Sequence, residues 1–331
     1  MSGSLHPVLC ALLCGALAAG LSAATDQVRA ADAYPSKPIR LVCPFPPGGG
    51  LDFVARTLAE KLAERSGHPV VVDNRPGASG SIGANLVARA APDGYTIMLA
   101  SSSTLAANPA LQRRPYQELI RDFAPVSLVS SVSYVLVVHP AVPAKSVADL
   151  IRLAKLQPGR INYASSGTGS ASHLAMELFR NMAGVDLVHI PYKGSSLAVI
   201  DLIGGQVQAG FNNLIPALPH IRSGKLRALG VSGPARWAGL PDVPAIADSG
   251  LQGYEALQWY GMLMPAGAPR VIISRLQQEI AAILQLPDVR ERVAREGGVI
   301  IGSSPEQFAG HIEREIAKWT RVVTAANIRV D

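Results

Sequence analysis

A glycine-rich turn follows the first apolar strand of the sequence and is the first place where chemistry can be expected. It consists of Pro47, Gly48, Gly49 and Gly50, and Asp52 then opens a helical stretch as its expected cap. Glycines let a ligand approach the backbone closely, and the free N–H groups of a helix start carry about half a positive charge. The turn is not a dinucleotide fingerprint, whose third glycine would fall on Phe53, nor a P-loop. It predicts an anion site or, more simply, a sharp bend.

A second turn, rich in hydroxyls, follows a later strand. It consists of Ser165, Ser166, Gly167, Thr168, Gly169 and Ser170, with a helix starting near Ser172. Hydroxyls and glycines at a helix start form a neutral, donor-rich nest, which suits a carboxylate that must be bound and released quickly. His173 lies one turn before Glu177. Two roles are open for it, an oriented histidine that packs at the lobe surface or a base for Ser166 or Ser170.

Polar turns also end other strands of the sequence. Ser101 and Ser102 follow the third strand, Tyr192 and Lys193 precede a further helix, and Asn212 ends another strand. Ligands of open α/β sheets bind outside the carboxyl ends of the strands, so these turns are expected at one edge. Lys193 either pairs with an anion or is solvated. The convergence predicts a ligand site made of backbone groups, hydroxyls and an amide.

The sequence lacks the local motifs of the common hydrolases and metalloenzymes. It has no G-x-S-x-G elbow, no H-E-x-x-H pair and no Cys/His cluster with metal-ligand spacing. A serine without an identifiable base is weak support for nucleophilic catalysis. We therefore predict no catalytic residue, no metal and no cofactor.

Strands and helices alternate along the chain in the order that positions these turns. In the first helical stretch Val54, Leu58 and Leu62 recur every four residues. The alternation restarts near residue 134, which predicts an α/β protein of two lobes, each a mostly parallel sheet flanked by helices. Lobe 1 is expected to comprise residues 36–133 and 256–331, and lobe 2 residues 134–255. Lobe closure about hinges near Ser133 and at 252–259 is expected, and so is a monomer.

Composition narrows the classes of partner. The 331 residues are 48% hydrophobic and 16% charged, which is typical of a folded chain long enough for two lobes. The formal net charge is +6, but the Lys and Arg residues are scattered without a basic stripe. Nucleic acid is therefore not an expected partner, and the charge mildly favours an anionic ligand.

The first 31 residues are typical of a secretory signal peptide. The stretch from Val8 to Ala24 is apolar and uncharged, and small residues follow it, although no Lys or Arg precedes it. We predict export to the periplasm. Cys43 is then the one cysteine of the mature chain, so no internal disulfide is expected and Cys43 is expected to be buried.

Nine short segments stand in register along the mature chain. They are Pro44–Asp52 with Ala55-Arg56, Asn74–Ala78, Pro92–Thr96, Asp122–Val126, Tyr163–Ser170 with His173-Leu174, Pro191–Gly194, Gly204–Val207, Gly224–Ala228 and Leu240–Pro244. In this order they resemble the substrate-binding receptors of tripartite tricarboxylate transporters, also called Bug receptors. The resemblance runs from Tyr34 to the last helix.

The resemblance implies a type II periplasmic binding protein, a Venus flytrap that serves a membrane permease. Receptors of this kind hold a carboxylate through backbone amides, hydroxyls and bridging waters. Carried over to this chain, the ligand-holding positions are the Pro47–Gly50 turn, Ser101, Ser166, Thr168, Gly169 and Asn212.

The sequence departs from the family pattern at four positions. Leu51 stands where Thr or Ser is usual, Asn212 replaces a frequent Asp, and Ala245 and Asp248 replace a usual Thr and Glu. An amide at 212 removes a partner for an ammonium group. This favours an aromatic acid or a di- or tricarboxylate over an amino acid as ligand. Two other functions stay open: a receptor that docks onto a signalling partner, and an exported serine hydrolase.

Overall fold

A computed structural model describes residues 34–295 and 297–328 of the chain. Over these residues it contains eleven α-helices and ten β-strands, which confirms the α/β class. The predicted signal peptide, residues 1–31, lies outside the described residues.

Strands and helices alternate over the first part of the described chain. In order they are β1 (Ile39–Cys43), α1 (Gly50–Ser66), β2 (Val70–Asn74), α2 (Ser81–Ala88) and β3 (Thr96–Ser101). A π-helical turn (Ser103–Ala107) and two short helices, α3 (Asn108–Leu111) and α4 (Tyr116–Asp122), follow. The predicted apolar spacing explains α1, because Val54, Leu58 and Leu62 are all buried. They pack in one cluster with β1 and β3.

The second part repeats the alternation, and the chain then returns to the first part. Its elements are β4 (Phe123–Val138), α5 (Val147–Leu156), β5 (Asn162–Ser165), α6 (Ala171–Ala183), β6 (Val188–Pro191), α7 (Ser195–Ile203), β7 (Ala209–Asn213), α8 (Leu214–Arg222) and β8 (Arg227–Val231). The return consists of β9 (Leu257–Pro265), α9 (Arg270–Leu284), α10 (Pro287–Arg295), β10 (Gly298–Ile300) and α11 (Pro305–Ala325).

The 16-residue strand β4 joins the two halves of the sheet. Its residues Phe123–Ser133 pair with β9, whereas Tyr134–Val138 pair with β7 and β8. The pairing partners thus change between Ser133 and Tyr134, at the position where the sequence predicts a hinge. Movement about that position stays a prediction.

The sheet is mixed. Its strand order is β2-β1-β3-β9-β4-β7-β5-β6, with β8 and β10 also paired to β4. The predicted parallel pairing is found around β1 and β5, while every pair that includes β4 or β9 is antiparallel. The antiparallel centre arises because the chain crosses between the halves along β4 and returns along β9. The carboxyl ends of β1, β3, β5 and β7 carry the predicted turns.

Buried apolar clusters lie on both sides of this sheet. One contains Leu41, Leu58 and Met262, and another contains Val135 and Leu202. Burying one such side chain stabilises the fold by about 1.5–3 kcal/mol. Cys43 is free and buried, as predicted. No helix over residues 34–295 and 297–328 combines the length and apolar character that a membrane crossing requires.

Candidate functional site

A cleft of about 340 Å³ lies where strand-to-helix turns of the two halves face each other. Eight of the predicted ligand-binding residues line it: Gly49, Gly50, Ser101, Ser165, Ser166, Gly169, Ser170 and Asn212. Turns that are far apart in the sequence therefore meet in one cleft. Their contact with a ligand stays a prediction.

Seven predicted residues lie outside the lining of the cleft: Pro47, Gly48, Ser102, Gly167, Thr168, His173 and Tyr192. Pro47 and Thr168 are exposed on their turns. Gly48 lines an adjoining cavity, and Ser102 borders a narrow gap beside Tyr134. Tyr192 is directed towards α7, because its hydroxyl donates to Asp201 Oδ2 at 2.7 Å.

Other lining residues were not predicted from the sequence: Phe45, Leu51, Ser79, Ser103, Tyr134, Ala171, Ser172, Ser195, Ala198, Phe211, Asn213, Gln258 and Tyr260. Ser195 and Asn213 stand on turns that the sequence identifies. Like Ser165, they are polar residues at a strand-to-helix turn, so they could have been predicted on the same grounds. Tyr134, Gln258 and Tyr260 lie on β4 and β9, where no local pattern marks them.

The carboxylate of Asp52 holds the glycine turn in place. Its Oδ2 accepts from the N–H of Gly48 and from Arg56 Nε, and its Oδ1 accepts from Asn74 Nδ2, all at 2.9 Å. Burial raises the pKa of Asp52, but these hydrogen bonds outweigh that effect and hold the pKa below its usual value. The N-cap of α1 is Gly49 rather than the predicted Asp52, and no side chain caps the helix. The N-cap residue of α1 therefore has no side chain that could accept from the first N–H groups of the helix.

The close approach of Tyr260 explains why residue 50 is a glycine. A Cβ atom at Gly50 would lie 2.7 Å from the hydroxyl oxygen of Tyr260. That distance is too short for a real contact, so any side chain would displace the tyrosine. Both residues line the cleft. The glycine thus lets a strand of the hinge region contact the start of α1.

Hydrogen bonds within the hydroxyl-rich turn fix its backbone. The N–H of Ser166 donates to Ser172 Oγ at 3.1 Å, and the N–H of Gly169 donates to His173 Nδ1 at 3.0 Å. Ser170 is the N-cap of α6, and its Oγ accepts from the N–H of His173. Gly169 has a φ of 74°, in the left-handed region that favours glycine. His173 supports this turn from behind the cleft.

The surroundings of His173 oppose a catalytic role. The residue is 4% exposed, and burial together with the neighbouring His189 lowers its pKa to about 3. Its Nδ1 is occupied by Gly169, and its Nε2 lies 3.8 Å from Glu177 Oε1. Neither ring nitrogen is thus placed to accept a proton from Ser166 or Ser170. The geometry thus opposes the catalytic role, and it buries His173 behind the turn rather than at the lobe surface.

The starts of four helices converge on the cleft. They belong to α1, α6, α7 and α8, and the cleft is lined at these starts by Gly50, Ala171, Ser195 and Asn213. The helices α1, α7 and α8 have no side-chain N-cap hydrogen bond. Unpaired N–H groups at a helix start bear partial positive charge and point along the helix axis. The convergence creates a positive environment from backbone groups.

Side chains add polar groups but no formal charge. No Lys, Arg, His, Asp or Glu is found among the described residues that line the cleft. The Ser101 Oγ is buried and has no hydrogen-bond partner within the described part of the chain. Buried hydroxyls are normally hydrogen-bonded, so Ser101 retains capacity for a ligand. Over the described ranges, no group of three or more His, Cys, Asp or Glu is placed to hold a metal ion.

Comparison with known proteins identifies the family. The sequence model described as the tripartite tricarboxylate transporter family receptor matches residues 54–328. Protein BugT of Bordetella pertussis is 41% identical over 308 residues, which are 92% of this chain and 94% of BugT. The predicted family is thereby confirmed.

Two solved structures from Rhodopseudomonas palustris share the fold. One, with adipate, is 36% identical, covers 89% of this chain and 99% of its own, and superposes with a TM-score of 0.75. The other, MatC with bound malate, is 30% identical, covers 88% and 100%, and has a TM-score of 0.74. This protein belongs to the tripartite tricarboxylate transporter receptor family, whose members are periplasmic solute receptors.

Proposed function

We propose that this protein is an exported receptor that binds a small carboxylate in the cleft and delivers it to a tripartite tricarboxylate-type permease. The observation that carries the proposal is the convergence of four helix starts on a cleft whose described lining has no formal charge. Hydrogen bonds to a charged group contribute about 1.5–3 kcal/mol each, and together they offset the translational and rotational freedom that the ligand loses on binding. Adipate and malate in the two related structures support the ligand class.

The lining favours a carboxylate without an ammonium group. An amino acid carries a cation that needs a carboxylate partner when it is buried. The described lining includes no Asp or Glu, and Asn212 stands where Asp is frequent in the family. Aromatic acids and di- or tricarboxylates are therefore favoured over amino acids.

The receptor is expected to close over its ligand. In the proposed division, lobe 1 comprises residues 36–133 and 256–331 and contributes the start of α1. Lobe 2 comprises residues 134–255 and contributes the starts of α6, α7 and α8. The lobes are joined by β4 and by the segment that leads into β9, and closure is expected about these connections. Closure would bring all four helix starts around one anion.

A thermal-shift screen of the mature chain tests the proposal. Acids from the aromatic, dicarboxylate and tricarboxylate classes are compared with the primary amides of the same acids. At a hundredfold excess over Kd, a ligand stabilises the protein by about 2.7 kcal/mol, which corresponds to a rise of roughly 5 °C in Tm. The amides lack the charge that helix starts stabilise, so no comparable shift is expected for them.

Three results would count against parts of the proposal. If no acid shifts Tm while circular dichroism shows a folded protein, carboxylate binding is refuted. Tight binding of glutamate or aspartate in calorimetry would contradict the preference against amino acids. Undiminished uptake of the best acid by cells that lack this receptor would refute delivery to a permease.

A further inference from the structure

We propose that the carboxylate bound by this receptor has an elongated apolar body, an alkyl chain or an aryl group, which occupies a second chamber beside the cleft. This inference rests on the proposed function, since it takes the cleft as the site of the carboxylate head. The second chamber has a volume of about 400 Å³. Some of the residues that line this chamber also line the cleft, and the others line the chamber alone.

The second chamber adjoins the cleft along a shared wall. Both spaces are lined by the same six residues: Gly49, Gly50, Ser195, Asn213, Gln258 and Tyr260. Gln258 and Tyr260 are two residues apart on β9, so their side chains project from the same face of the sheet. A ligand anchored at the starts of α1 and α7 therefore reaches the second chamber by extending past these two side chains.

The residues found in the second chamber alone are mainly aliphatic. They include Val54 at the start of α1, Val132 on β4, Leu214 on α8 and Val293 on α10. No Lys, Arg, His, Asp or Glu occurs among the described residues that line this chamber. An apolar wall provides no hydrogen-bond donor to a carboxylate. It stabilises methylene and aryl groups, because their surface is removed from water. The charged head and the apolar body are thus separated between two environments.

A buried hydroxyl adds a polar group to the part of the second chamber that the cleft does not share. Ser130 is 0% exposed, and its Oγ has no hydrogen-bond partner within the described part of the chain. Ser130 lines the second chamber but not the cleft. Buried hydroxyls seldom lack a partner, so this oxygen indicates an occupant that provides one. The occupant is therefore mainly apolar with room for a single polar substituent.

The size of the two spaces also favours a long ligand. The cleft alone has the volume of a small-ligand site, and the second chamber more than doubles it. A four-carbon dicarboxylate would leave the second chamber to water, in contact with the partly exposed side chain of Val132. Filling it with an apolar body removes that unfavourable contact.

Calorimetry on the mature chain with a graded series of acids tests the inference. The probes are succinate, butanoate, hexanoate, octanoate and 3-phenylpropanoate. We expect affinity to rise by about fourfold for each added methylene from butanoate to octanoate, the value for full burial of a CH₂ group. We also expect 3-phenylpropanoate to bind more tightly than butanoate.

Two valines on adjacent strands provide the variant and its control. Val132→Phe fills the second chamber from β4 and is expected to abolish the dependence of affinity on chain length. Val299→Phe makes the same change on β10, at a residue that is 62% exposed and lines neither space, and should retain that dependence. If Val132→Phe does not fold, Val132→Thr adds a hydroxyl at similar volume and should reduce the gain per methylene.

The possible results separate this inference from the proposed function. Equal affinities for butanoate and octanoate, with measurable binding of both, would show that the second chamber does not hold the apolar body of the ligand. Carboxylate binding in the cleft would be unaffected. Retention of the length dependence in folded Val132→Phe would place the apolar body elsewhere and also overturn the inference. Absence of binding by every acid in this series and in the thermal-shift panel would refute the proposed function itself.

Discussion

The imidazole rings of His173 and His189 stack with their centroids 3.8 Å apart and their planes 8° from parallel. Each ring also contacts the hydroxyl-rich turn: His173 Nδ1 accepts from the N–H of Gly169, and His189 Nε2 lies 2.6 Å from Ser165 Oγ. Two positive charges at this separation would repel each other strongly in a buried site. The pair thus supports the turn only while His173 is neutral.

Stability is therefore predicted to fall in mild acid. Burial lowers the pKa of His173 from 6.5 to about 3, so its contribution is complete above pH 6.5 and is lost as the pH falls towards 3. The loss amounts to as much as about 1.4 kcal/mol per pH unit. Urea denaturation of the wild type and of His173→Asn at pH 7.5, 6.0 and 5.0 measures it. The asparagine oxygen can still accept from Gly169 but does not titrate, so the variant should show a shallower dependence.

His220→Asn is the matched control for this prediction. His220 lies on α8, so its substitution removes a histidine without changing the stacked pair of His173 and His189. If His173→Asn and the wild type lose stability equally between pH 7.5 and 5.0, His173 is not the group that responds.

Ser101→Ala is expected to separate affinity from stability. The Ser101 hydroxyl is buried without a partner in the described part of the chain, so its removal should leave the free energy of unfolding unchanged or raise it by up to about 1 kcal/mol. Affinity for a carboxylate should fall by about tenfold, because a hydrogen bond to a charged group is lost. Ser102→Ala removes a second buried, unpartnered hydroxyl that does not line the cleft. Equal loss of affinity in both variants would show that Ser101 does not contact the ligand.

The turns could be predicted from the sequence because their residue types and their position after a strand are local properties. Glycines before α1 and serines before α6 mark helix starts, and parallel strands place such starts at one edge of a sheet. Eight predicted residues, among them Gly50, Ser166 and Asn212, accordingly line the cleft. Thr168, on the same turn as Ser166, is exposed instead. The identity of a turn is thus easier to predict than the direction of each of its side chains.

The centre of the sheet could not be predicted in the same way. The first half of β4 carries Pro125 and several serines, which break the apolar pattern of a strand. Ser127 is nevertheless buried in this strand. Its Oγ donates to the carbonyl of Ser303, a partner 176 residues away that satisfies the buried hydroxyl. Helix α8 contains Pro216 and Pro219, residues that usually end a helix, so the sequence does not predict it. Tyr260 reaches the cleft through the long-range pairing of β9 with β4, and Tyr134 through the pairing of β4 with β7, neither of which can be predicted from a local pattern.

Gly50→Ala is predicted to weaken ligand binding through Tyr260. The added methyl group would lie 2.7 Å from the tyrosine hydroxyl, and relieving such a contact costs about 1–3 kcal/mol. The displaced ring should reduce affinity, and Gly50→Ala combined with Tyr260→Phe should recover part of the stability that Gly50→Ala loses. Gly49→Ala is the control, since a Cβ atom there meets nothing within 4 Å. Calorimetry measures the affinity of Gly50→Ala. Thermal unfolding compares the two variants, and equal losses of stability at residues 49 and 50 would contradict the role of Tyr260.

Asn212→Asp should reverse the charge preference of the cleft. Asn212 is 7% exposed, and the described lining contains no cation that could pair with a new carboxylate. At pH 7.5 the added charge should weaken dicarboxylate binding by at least tenfold, since like charges within a few ångströms repel by more than 1 kcal/mol. The same charge offers a partner to an ammonium group, so affinity for amino acids should rise relative to dicarboxylates. Asn212→Ala measures the loss of the amide alone. An unchanged ratio of dicarboxylate to amino-acid affinity in Asn212→Asp would mean that residue 212 does not face the ligand, and the preference would then have to come from the backbone of the helix starts.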